Sequence, residues 1–363
     1  MKIDNVHYRS ISLNDDGWSV RIFDQRALPW ELVHVNLTTM AQAALAISEM
    51  WTRGAPLLSA VGAYGLALAM REDCSDAALD ASYATLLATR PTAVNLRWAL
   101  DEMKRAAASV QGDARIAAAY ARAGEICDED VEINRSIGLS GLPLLRKMAA
   151  EKNGAPLNIL THCNAGWLAT VDYGTITSPI YMAHDEGIQI HVWVDETRPR
   201  NQGALLTAFE LQQHGVPHTV IADNAGGHLM REGQVDLCLV GTDRVTRNGD
   251  VCNKIGTYLK ALAAKDNNVP FYIALPYPTI DYAMESGDLI PIEERSAREV
   301  THMTGLSNAG KVEEFQITRS DAANPAFDIT PARLVTGYIT ERGILEKVCN
   351  GTKDEPVFMR DVA

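Results

Sequence analysis

Leu157-Asn158-Ile159-Leu160-Thr161-His162-Cys163-Asn164-Ala165-Gly166 runs from a short apolar segment straight into a thiol, an amide and a glycine. The apolar part, 157–161, has the length of a buried strand, and a glycine soon after a strand lets the backbone approach a ligand closely. Cys163 then falls at the strand's carboxyl end, where open parallel sheets bind ligands. A free cysteine taken alone is more often a small buried hydrophobe. The segments downstream weigh against that reading here.

Further apolar runs at 188–194, 218–222, 235–240 and 269–275 alternate with amphipathic helical stretches. Five strands separated by helices predict a parallel sheet covered on both faces. Helical spacing puts Leu205, Ala208 and Phe209 on one face of one intervening helix, and Ile255, Tyr258, Leu259 and Leu262 on one face of another, as core stripes. Four of the strands run into polar clusters: His162-Cys163-Asn164, Asp195-Glu196-Thr197-Arg198-Pro199, Asp223-Asn224 and Thr242-Asp243-Arg244. In a doubly wound sheet these ends share one edge and line one crevice. Asp, Asn and Thr also cap helices and turn chains, but four such clusters at equivalent positions indicate a site.

Upstream, residues 1–35 alternate apolar and polar positions, as in Ser19-Val20-Arg21-Ile22-Phe23-Asp24, with Asn14-Asp15-Asp16-Gly17 as a turn. A small antiparallel sheet is predicted there. Alanine-rich stretches with helical spacing follow at 38–50, 57–70, 76–88, 93–109 and 114–134. The softest boundary is Gly138 to Gly141, after which Pro143 opens a helix to Lys152. The chain therefore reads as α/β: a smaller β-then-helical amino-terminal domain at 1–140, then a Rossmann-like parallel sheet flanked by helices at 141–363.

At 363 residues there is ample chain for two domains, and 47% hydrophobic with 22% charged residues is the composition of an ordered globular protein. A net charge of -13 argues against a non-specific nucleic-acid or anionic-membrane surface. The six cysteines form no C-x-x-C pair and no zinc spacing, so reduced thiols in the cytoplasm are expected. His162, His184, His191, His214, His218 and His228 likewise lack a tight metal-ligand pattern. No G-x-G-x-x-G, targeting segment or membrane span is present in the sequence, so neither a metal nor a nicotinamide cofactor is expected.

Several segments taken together resemble the 5-methylthioribose-1-phosphate isomerases of methionine salvage, in the superfamily that includes the regulatory subunits of initiation factor 2B. They are Arg53-Gly54-Ala55-Pro56, Arg90-Pro91-Thr92-Ala93-Val94-Asn95-Leu96, Cys163-Asn164-Ala165-Gly166, Glu196-Thr197-Arg198-Pro199, Gln202-Gly203 and Gly241-Thr242-Asp243-Arg244. The run from Asn248-Gly249-Asp250 through Asn253-Lys254-Ile255-Gly256-Thr257-Tyr258 and the closing Asn324-Pro325-Ala326-Phe327-Asp328-Ile329-Thr330-Pro331 extend the likeness over almost the full length. The resemblance implies that Cys163 and Asp243 are the catalytic pair and that Arg53, Gly54, Ala55, Arg90, Gln202, Asn253 and Lys254 bind substrate. It also implies a homodimer. The residue types suit a sugar phosphate: guanidinium and ammonium groups for the phosphate, amides for hydroxyls, and the N–H groups of Gly54 and Ala55 near a helix start.

The chemistry asks for two assisted steps. The phosphate blocks the anomeric carbon, so the ring must open with the phosphate attached before hydrogen moves from C2 to C1. Asp243 in apolar surroundings would be a general acid for the ring oxygen. Cys163 would take the C2 proton as thiolate, or stabilise an intermediate while hydride shifts. Leu57-Leu58-Ser59, Leu206 and Cys252 depart from the resembled pattern and bear on the 5-substituent, so isomerases of 5-deoxyribose 1-phosphate or ribose 1,5-bisphosphate are the competing reading. The other is a non-enzymatic regulatory subunit of the initiation-factor kind. A thiol and an acid at two converging strand ends weigh against that subunit.

Overall fold

The computed structural model describes residues 1–90 and 93–346. Cys349 and the Pro91-Thr92 part of the Arg90 motif lie outside the described residues. The described residues form two compact units, one made of 1–134 with 166–174 and the other of 135–165 with the segment from 175 onward. A single cut at 140 does not describe this division, because 166–174 packs with the amino-terminal unit.

In the carboxyl-terminal unit the opening segment forms the strand Leu157–Thr161, near the middle of a seven-stranded sheet. On one side lie Ile190–Asp195 and then His218–Ile221. On the other lie Leu237–Val240, Phe271–Ala274, Gly337–Thr340 and Gly343–Glu346. Every pairing is parallel except the last, which is antiparallel at the edge. Chain order runs outward in one direction from Leu157–Thr161 and then restarts in the other from Leu237–Val240. The topological switch point therefore falls between these two strands. Buried Leu160, Cys238, Val240, Phe271 and Ile273 pack with Ala261 and Ala264 of the helix Thr257–Asp266 to form one core.

The five expected strands form. The last two were not foreseen, since Gly337-Tyr338-Ile339-Thr340 is too short and mixed for a hydrophobic run and takes its place by pairing with Phe271–Ala274. Ala114–Ala150 is one continuous helix through Gly138, Gly141 and Pro143, where a boundary was expected. The glycines serve packing: a Cβ at 138 would overlap Ser178, and one at 141 would come 2.9 Å from Pro179, both on the helix Thr177–Asp185. Two core stripes are also corrected. Gly203–Thr207 is a π-turn that rotates the chain before Ala208–His214, so Leu206 is buried and Leu205 is half-buried. On Thr257–Asp266 it is Leu259 that is exposed, at 58%, and Lys260 that is buried.

The amino-terminal unit has the expected antiparallel sheet, Ile11–Leu13, Val20–Phe23 and His34–Leu37. The helices Met40–Ser48, Ala55–Glu72, Asp76–Thr89 and Val94–Ala108 follow. Ala55–Glu72 is buried at every position from Leu57 to Met70, which suits its nearly uninterrupted apolar sequence. Among the described residues no helix is long and apolar enough to cross a membrane.

Candidate active site

Cys163 and Asp243 emerge from the two strands that flank the switch point, each just past a carboxyl end. Their loops meet directly: a Cβ added to Gly241 would lie 2.5 Å from the Cβ of Ala165. Only glycine permits that approach.

Cys163 is buried and has a left-handed backbone, φ +69°. Its Sγ faces Oε1 of Gln202 at 3.4 Å. Its N–H donates to Thr197 Oγ1 at 2.8 Å, and its carbonyl accepts from Thr207 Oγ1 at 2.7 Å. The neighbouring Asn164 amide donates to the buried Glu210 carboxylate at 2.8 Å. The loop is therefore held at backbone and side chain on both sides of the thiol.

Asp243, Asn253 and Lys254 share an antiparallel hairpin, Arg244–Thr246 with Val251–Lys254. Asp243 N–H donates to the Cys252 carbonyl at 3.0 Å. Asn253 is buried and donates to Thr257 Oγ1, while the Lys254 ammonium donates to the Ala326 carbonyl at 2.9 Å and sits over the Phe327 ring. The Cys252 thiol is pushed up to about 12, first by burial and then by the adjacent Asp243 carboxylate. That leaves Cys252 a neutral packing group. Asp243 itself is exposed rather than enclosed in apolar surroundings.

Beneath these loops lies a charge cluster that periodicity concealed. Asp195 and His162 have at most 1% exposure, and His162 Nδ1 lies 2.8 Å from Asp195 Oδ2. The other ring nitrogen faces the Ile255 carbonyl at 2.8 Å, so the imidazole is engaged away from Cys163. Buried Lys260 brings its ammonium to 3.2 Å from Asp195 and donates to the Asp223 carbonyl. His162, Asp195 and Asp223 offer ligand atoms within 4.8 Å of one another, a spacing that suits a cation, and Lys260 supplies positive charge beside it. The Asp223 carboxylate accepts the N–H groups of Thr197 and Arg198, each at 2.7 Å. Of these residues His162, Asp195 and Asp223 were visible as strand-end polar groups. Thr197 was visible only as a member of the 195–199 polar cluster, and Lys260 and Thr207 carried no signal of their own.

The loop bearing Gln202 is tied down further out. Arg200 pairs with Glu299 at 3.0 Å, and Glu299 also holds Arg295 at 2.7 Å and the Asn324 amide at 3.0 Å.

The remaining expected substrate residues lie in the amino-terminal unit. Arg53 is buried, Gly54 has φ +96° and backbone against Ala169, and Ala55 begins the helix Ala55–Glu72. The Gly54 and Ala55 peptides therefore stand at an 18-residue helix start, the place expected for an anion. Arg90 is half-buried at the end of Asp76–Thr89.

Residues 51–347 match the family model described as the initiation factor 2 subunit family. The chain is 60% identical over 357 residues to the methylthioribose-1-phosphate isomerase of Rhizobium meliloti (strain 1021), covering 97% of this chain and 98% of that protein. Among solved structures it is similar to 5-methylthioribose 1-phosphate isomerase from Pyrococcus horikoshii OT3, with TM-score 0.79, 39% identity, and 94% and 93% of the two chains covered. It is also similar to the translation initiation factor eIF-2B subunit delta from A. fulgidus, with TM-score 0.76, 37% identity, and 94% and 96% covered.

The Glu299 cluster yields a pH dependence. Burial pushes its carboxyl up, but Arg295 and Arg200 outweigh burial and hold it at about 2, below the ordinary 4.5. A depressed pKa contributes stability that is present above pH 4.5 and lost as pH falls toward 2. Glu299→Gln is expected to lower neutral-pH stability by on the order of 1–3 kcal/mol and to flatten the acid limb of Tm against pH in that window.

Proposed function

The chain belongs to the initiation factor 2 subunit family, and from that premise we propose that it is an aldose–ketose isomerase converting 5-methylthioribose 1-phosphate to 5-methylthioribulose 1-phosphate in methionine salvage. The observation that carries the reading is the placement of a thiol and a carboxyl group on the two loops that meet at the switch point. Full-length identity of 60% to an isomerase supports it over the regulatory-subunit reading.

In the proposed mechanism Asp243 gives its proton to the ring oxygen as the bond from C1 to that oxygen breaks. The Cys163 thiolate then removes the C2 proton and delivers it to C1 of the resulting enol phosphate, while O2 loses its proton to the Asp243 carboxylate as the C2 carbonyl forms. In the alternative route the C2 hydrogen moves to C1 with its electron pair, and Cys163 stabilises the cationic intermediate before O2 loses its proton. Gln202 and Asn253 would bind sugar hydroxyls. Arg53, Arg90 and Lys254, with the Gly54 and Ala55 N–H groups, would hold the phosphate. Protonation and proton removal by positioned groups contribute about 10²- to 10⁴-fold each.

Cys163→Ser and Asp243→Asn are each expected to reduce kcat by about 10²- to 10⁴-fold with the circular dichroism spectrum unchanged. Arg53→Ala and Lys254→Ala should act mainly on KM. Near-parental kcat in both Cys163→Ser and Asp243→Asn would contradict the mechanism. The 5-substituent is the second question, because one small apolar group discriminates by only about 1–3 kcal/mol. A kcat/KM preference of about tenfold or more for the thiomethyl sugar over 5-deoxyribose 1-phosphate is expected; equal values would favour an isomerase of several 5-modified pentoses. We further propose a cytoplasmic homodimer; a monomer mass by sedimentation equilibrium would contradict the dimer.

A further inference from the structure

Thr197 is fully buried and has a left-handed backbone, φ +63°, which a β-branched residue rarely adopts. Two short hydrogen bonds hold it there, from its own N–H and that of Arg198 to the Asp223 carboxylate. With the backbone so fixed, Oγ1 donates to the Asp195 carbonyl at 3.0 Å and accepts the Cys163 N–H at 2.8 Å. The loop is tight on the far side as well, since a Cβ at Gly203 would overlap the Asp195 carbonyl and come 2.9 Å from Thr197 Oγ1. Strain in a β-branched residue with both ends restrained marks a position held for what its side chain does.

We propose that Thr197 is a positioning residue for the isomerisation: its hydroxyl, steered by Asp195 and anchored by Asp223, holds the left-handed Cys163 so that the thiol stays buried and faces Gln202. Among the described residues Thr197 Oγ1 is the one acceptor of the Cys163 N–H. Removing the hydroxyl leaves that buried N–H unpaired and frees the peptide to rotate. The inference rests on Cys163 being the working thiol and goes beyond it by naming what aims the thiol.

The test compares Thr197→Val, which keeps the shape without the hydroxyl, with Thr197→Ser, which keeps the hydroxyl, in the full-length protein. Thr197→Val is expected to lose about 10- to 100-fold in kcat with KM changed by less than about threefold, since misplacement of a reacting group acts on the chemical step. Thr197→Ser should stay within about threefold of the parent. Peptide-resolved alkylation by iodoacetamide should be faster at Cys163 in Thr197→Val by about tenfold, with buried Cys238 and Cys252 unchanged as controls for global loosening. Parental kcat in Thr197→Val, a loss confined to KM, or Thr197→Ser as impaired as Thr197→Val would overturn the inference while Cys163→Ala remains inactive. Parental turnover in Cys163→Ala would overturn the catalytic reading and the inference together.

Discussion

A carboxylate with no exposed surface must find its partners inside the protein, and Asp195 sets that requirement at the carboxyl edge of the sheet. His162 answers from the adjacent strand end and Lys260 from the helix Thr257–Asp266. Lys260 also reaches the Asp223 carbonyl, which brings a third strand end into the cluster. Asp223 in turn accepts two backbone N–H groups from the loop that follows Asp195. Three strand ends are thus cross-linked by charge before any substrate group is considered. The loop bearing Cys163 is built on that foundation, through the hydroxyl of Thr197.

This arrangement separates rigidity from chemistry. At 162 and 163 the chain serves both ends: the imidazole faces inward to Asp195 and Ile255, and the thiol faces Gln202. Asp243 stands on a second loop that touches the first at Gly241 and Ala165.

Much of this was legible in the residues. The alternation of apolar runs and helices announced the parallel strands, and the dense polar clusters marked the edge where the site lies. What stayed hidden was hidden for physical reasons. Hydrophobic periodicity counted Leu259 as core and passed over Lys260, because a buried ammonium is intelligible only once its carboxylate partner is known. Gly138 and Gly141 read as turn glycines, but they lie inside a long helix where they let another approach. Gly337–Thr340 and Gly343–Glu346 are strands because a sheet edge was available to pair with. Thr197 and Thr207 resemble any loop or helix threonine until the Cys163 peptide between them is seen.

The family contains both isomerases and initiation-factor subunits among this chain's relatives, and the 37% identity to an eIF-2B delta subunit makes the distinction worth a direct assay. The most direct measurement is a phosphorus and proton NMR time course of the purified chain with 5-methylthioribose 1-phosphate and no added protein. Isomerase function predicts loss of the aldose C2 hydrogen signal and stoichiometric appearance of the ketose 1-phosphate, with no inorganic phosphate released. An unchanged spectrum at high enzyme concentration would contradict it and would leave the chain as a binding subunit.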